Sequence, residues 1–116
     1  MVREFGIRFI FRGRPGDNSP MSNSTLFLLR REVARTLRNS EFGEVRELPN
    51  RRFRNTFARP VIDVYDPIEN ELYISYYFIF PLHHGSIPAF QDIHVPILSE
   101  FATASGVELT IITMYN

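Results

Sequence analysis

Arg31, Arg35 and Arg38 recur at intervals of four and three residues, a spacing that lines their side chains along one side of an α-helix. Guanidinium groups grip phosphates and carboxylates in a bidentate fork, so a row of this kind makes an anion-binding edge. Arg30 lies beside the row, and only Glu32 stands among these residues to neutralise it. Further on, Arg52 and Arg54 alternate with Phe53, Asn55 and Phe57. That alternation suits an edge strand with its polar side outward. Basic residues interleaved with aromatics are also what a single-stranded nucleic-acid groove requires, charge for the backbone and rings for the bases.

The imidazoles offer a second chemistry. His83, His84 and His94, with Asp92, are the candidate ligands for a metal bound through nitrogen and carboxylate oxygen. Adjacent histidines usually point apart, and the ten-residue step from His84 to His94 matches no specific ligand spacing. Loop or capping roles are therefore expected for them, with no cofactor. The chain has no Gly-x-Ser-x-Gly elbow, and its glycine-bearing loop carries no lysine for a phosphate-binding P-loop. Catalysis is not expected.

Charge is balanced overall and segregated along the chain. All 13 basic residues are arginine and all lie at or before Arg59, while residues 60–116 carry seven acids and no base. With six acids in residues 1–59, the two parts have formal charges of +7 and −7. Such asymmetry favours an anionic partner for the first part, although folding can also interleave the two. A chain of 116 residues, 44% hydrophobic and 22% charged, fits one globular domain, 1–116. It has no cysteine, which excludes disulfides and thiolate chemistry. Neither a membrane span nor a signal-peptide core is legible, so a cytoplasmic location is expected.

The elements that must position these groups follow from periodicity. Glu4 to Arg12 alternates as a strand, with Phe5, Ile7, Phe9 and Phe11 on one face and Arg8, Ile10 and Arg12 on the other. Gly13 to Asn23 reads as a flexible loop. Ser22 or Ser24 can cap a helix running to about Asn39, with Leu26, Leu29, Val33 and Leu37 as its buried stripe. Residues 61–65 and 72–80 form a hairpin about Asp66-Pro67 and Asn70. In its second strand Leu72, Ile74, Tyr76, Phe78 and Phe80 make the core face, and Tyr73, Ser75, Tyr77 and Ile79 the other. Residues 81–90 read as a loop. Asp92 then caps a helix with Pro96 in its first turn and Ile93, Ile97 and Phe101 as its stripe, ended by Gly106. Val107 to Tyr115 is the last strand.

The order βαββαβ suits an α+β, ferredoxin-like sandwich: a four-stranded antiparallel sheet, its first and third strands central, with two helices on one face. Its open face then presents Arg8 and Arg12 beside Tyr73 and Tyr77, a surface similar in chemistry to RNA-recognition sheets, without their sequence signatures. The expectation is a small non-catalytic binding module. Its partner is single-stranded nucleic acid, met by Arg8, Arg12, Tyr73 and Tyr77 with phosphate contacts from Arg31, Arg35, Arg38, Arg52 and Arg54. The alternative is a protein-interaction module, a small accessory or inhibitory subunit that meets an acidic protein surface or pairs as a homodimer through its open sheet; the third reading is a His-dependent metal enzyme.

Overall fold

The structure is a computed structural model, and it describes residues 4–16, 19–38, 62–79 and 86–115. Six elements follow in order: β1 (Glu4–Gly13), α1 (Asn23–Arg38), β2 (Ile62–Asp66), β3 (Glu71–Ile79), α2 (Ser86–Ala104) and β4 (Val107–Tyr115). The four strands form one antiparallel sheet in the order β2-β3-β1-β4, so the architecture is α+β with β1 and β3 in the centre.

Strand alternation divides the sheet as its apolar pattern requires. Ile7, Phe9 and Phe11 of β1 are fully buried, and they sit opposite Tyr76, Ile74 and Leu72 of β3. Leu26, Leu29, Val33 and Leu37 of α1 join this cluster, as do Leu98 and Ala102 of α2 and Val107 of β4. Phe9 meets Tyr76 edge to face, with ring centroids 6.4 Å apart. The core therefore lies between one sheet face and the helices. The other face carries Arg8, Ile10 and Arg12 in alternate register.

Local chemistry fixes the ends of the helices. Ser22 caps α1, its Oγ accepting from the Thr25 amide at 3.1 Å. Gly106 ends α2 at φ 81°, a left-handed backbone that glycine adopts without strain. Arg14 donates to the Thr103 carbonyl at 2.9 Å, satisfying one of the last acceptors of α2.

Three expectations about α2 are corrected. The helix begins at Ser86, so residues 86–90 are helical rather than loop, and Asp92 lies inside the helix rather than at its cap. Pro88, not Pro96, occupies the first turn; Pro96 sits in the interior, where it withholds one backbone N–H. The buried stripe is also turned by one residue, since Ile93 and Ile97 are 58% and 60% exposed while Leu98 and Ala102 face the core. The cause is that α2 is apolar nearly all round, with Ile93, Val95, Ile97, Leu98 and Phe101 falling on different sides. Its pattern does not single out one face.

The β2–β3 turn is tied to the start of α1 through Asn70. Asp66 Oδ1 accepts from the Ile68 and Glu69 amides at 2.9 and 3.2 Å, closing the turn, and Asn70 completes it at φ 55°. The Asn70 amide nitrogen donates to the Ser19 carbonyl at 3.0 Å, and its oxygen accepts from the Met21 N–H at 3.2 Å and from the Tyr65 hydroxyl. Its carbonyl accepts from the Gly13 N–H at 3.0 Å. One asparagine thus joins β1, the approach to α1 and the hairpin.

Candidate functional site

The sheet separates the arginines that the sequence grouped together. Arg8 and Arg12 stand on the open face, across the sheet from the face on which α1 packs. Arg31, Arg35 and Arg38 are exposed on α1. Arg52, Arg54, His83 and His84 lie outside the described residues. Asp92 and His94 both belong to α2; Asp92 is exposed, and burial pulls the half-buried His94 below its ordinary value. Among the described residues no three His, Cys, Asp or Glu side chains cluster as metal ligands. Among them, too, no helix is long and apolar enough to cross a membrane.

On the open face the basic groups already have partners. Arg12 donates to Glu71 in an ion pair, and the Tyr73 hydroxyl donates to the other Glu71 oxygen. The Tyr73 hydrogen bond, then that of Arg12, hold the Glu71 carboxyl below the usual glutamate range, against the burial that raises it. Arg12 also lies opposite Glu108 in the β1–β4 register. Arg8 donates through Nε to Ser75 Oγ at 2.9 Å, and Ser75 is fully buried. Tyr77 lies opposite Gly6. Among the described residues, with Arg8 and Arg12 against Asp66, Glu71 and Glu108, this face has no cationic excess.

The helix side differs. Phe27, Arg30, Arg31, Ala34 and Arg38 of α1 border a groove of about 380 Å³, closed opposite by Asp63, Ile74 and Tyr76 of the sheet. Positions 27, 31, 34 and 38 follow helical spacing, which is why one face of α1 supplies most of the wall. Arg30 pairs with Asp63 at 2.9 Å and straps α1 to β2. The Arg31 guanidinium lies over the Phe27 ring, 5.9 Å from its centroid, although Phe27 is itself 62% exposed. Neither Arg31 nor Arg38 meets a carboxylate among the described residues. Arg35 points elsewhere, paired with Glu32 at 3.2 Å. Among the described residues, three guanidinium groups therefore face one carboxylate around the groove.

Tyr76 forms its inner wall. The side chain is 2% exposed, and burial pushes its hydroxyl up to about 12, Asp63 adding to the rise and Arg38 opposing it. A neutral phenol held beside a cation can donate to an entering anion. Of the residues here, Tyr76 is legible in the sequence only as a core position and Asp63 only as a residue near the turn, while Phe27 carries no expectation there. Phe27 was within reach, because it lies four residues before Arg31 on the same helix face.

Compared with known proteins, the chain matches no family model, no curated protein and no solved structure.

Proposed function

We propose that this chain is a non-catalytic binding module of ferredoxin-like topology that holds an anionic partner, single-stranded nucleic acid, in the groove beside α1. The observation that carries the reading is the juxtaposition of Arg31 and Arg38 with the exposed ring of Phe27. Guanidinium groups that meet no carboxylate among the described residues suit phosphates, and an exposed ring with a stacked cation offers a base-stacking platform that tolerates any sequence. The strand order β2-β3-β1-β4 supports the topology. The partners of Arg8 and Arg12 move the reading from the open sheet to the helix side.

The test is titration of a labelled random single-stranded oligonucleotide at 50 and 200 mM salt, roughly a range over which such contacts are strongly screened. Two phosphate contacts contribute a slope of about −1.4 in log K against log salt, so the fourfold rise in salt weakens binding roughly sevenfold through them alone. Replacing both residues, Arg31→Ala with Arg38→Ala, should remove that part of the salt dependence. Arg35→Ala should leave it in place, because Glu32 already holds that side chain. Equal losses in the two variants, or no binding by the native chain at the lower salt, would refute the assignment.

A further inference from the structure

The open sheet face carries a second surface, and its register defines it in rows. Across the strands run Ile62, Ser75, Arg8 and Ile112, then Val64, Tyr73, Ile10 and Thr110, then Asp66, Glu71, Arg12 and Glu108. Val64 is 52% exposed, Ile112 41% and Ile62 36%, so apolar side chains stand in solvent across the width of the sheet. The first row is cationic through Arg8, and the third has an excess of acid, three carboxylates against one guanidinium.

We propose that this face is a docking surface for the same face of a second copy of the chain. The two-fold axis lies along the middle row, Val64 to Thr110. That axis reverses the strand direction and keeps each strand over its own counterpart, so the Arg8 row of each copy lies over the acidic row of the other, where Arg8 stands over Arg12 and between Glu71 and Glu108. A two-fold axis along the strands would instead set acidic row on acidic row, which like-charge repulsion disfavours. Strands about 4.8 Å apart and about 3.3 Å per residue give these three rows roughly 350 Å² on each copy, about 700 Å² in all, the size of a weak and transient pair. An apolar middle between complementary charged rows is the arrangement a self-complementary interface needs.

The experiment is sedimentation velocity of the full chain from roughly 1 to 200 μM, a range that brackets the affinities expected of a small interface. The mass should rise with concentration from 13.6 kDa to twice that value. Val64→Lys with Thr110→Lys, two exposed positions on the axis row where each lysine would meet its own copy, should stay monomeric with an unchanged circular dichroism spectrum. Arg8→Glu and Glu108→Arg should each weaken pairing roughly tenfold, since two-fold symmetry repeats an exposed ion pair worth roughly threefold. The doubly reversed chain should recover most of that loss. A native chain that is monomeric throughout, or a lysine variant that still pairs, overturns the surface. A double reversal no tighter than the single ones overturns the orientation.

Discussion

Gly13 is a residue whose role can be computed from its surroundings. A Cβ placed on it would stand 2.2 Å from Asn70 Nδ2, closer than real atoms come, and a tight 3.1 Å from Asn70 Cγ. Gly13→Ala therefore requires the Asn70 amide to move. That amide holds the Ser19 carbonyl, the Met21 N–H and the Tyr65 hydroxyl. At about 1 kcal/mol net for each hydrogen bond, displacement costs about 3 kcal/mol. The lower entropy of the unfolded alanine chain returns about 0.5–1 kcal/mol. A net loss of about 2–2.5 kcal/mol should lower the melting temperature by roughly 8–10 °C for a domain of this length. Urea unfolding followed by circular dichroism measures it directly, with the denaturant slope unchanged. The decisive comparison is with Asn70→Gly, which removes the side chain and still suits the positive φ of that turn. In that background Gly13→Ala should be neutral or slightly stabilising. A loss below about 0.5 kcal/mol in the native background would refute the reasoning, given the sum of bonds at stake. So would an equal loss in both backgrounds.

Three further outcomes follow from the same geometry. Glu71 has a depressed folded-state value, so its contribution to stability is present above the ordinary glutamate value of about 4.3 and fades as pH falls below it. Glu71→Gln should accordingly be destabilising at neutral pH, and urea midpoints should show the gap narrowing toward pH 3, roughly a unit below that value. Tyr76 is raised to about 12, so stability should fall as pH rises from about 10 toward that value, because the unfolded chain releases the proton first. Tyr76→Phe should flatten this alkaline limb in thermal melts; parallel limbs would place the hydroxyl in contact with water. Pro96→Ala should restore an N–H within α2 and raise the urea midpoint by the equivalent of about 1–2 kcal/mol, less than the full helix-interior penalty of proline because the surrounding packing has adapted to it.

Much of the architecture was legible because it rests on local repetition. Alternation marked β1 and β3, and the spacing of Leu26, Leu29, Val33 and Leu37 identified the buried side of α1. Helix α2 was misphased for the converse reason: its residues are apolar on most sides, and only contact with β4 and α1 selects Leu98 and Ala102. The candidate site was legible in its helical part alone. Spacing placed Arg31 and Arg38 on one side of α1 with Phe27 in reach, but which arginine Glu32 holds required the side-chain positions. The Asp63 that holds Arg30 is 33 residues away, beyond any local pattern. On the open face, the acids flanking Arg12 come from two other strands, and only the register reveals them.

The central position of β1 has a consequence for how the chain reaches its fold. Both neighbours of β1 come from later in sequence, β3 at residues 71–79 and β4 at 107–115. During synthesis, its apolar face of Ile7, Phe9 and Phe11 is made long before any strand exists to pair with it. Sheets built from such distant pairings form slowly and leave an early segment open to association with other chains. Arg8 and Arg12 interrupt that segment at every fourth position. Charges placed so within an unavoidable apolar strand act as gatekeepers against aggregation. The same two arginines then find Ser75 and Glu71 when β3 arrives, so groups that keep the nascent strand apart from its neighbours become bonds that hold it in the finished sheet.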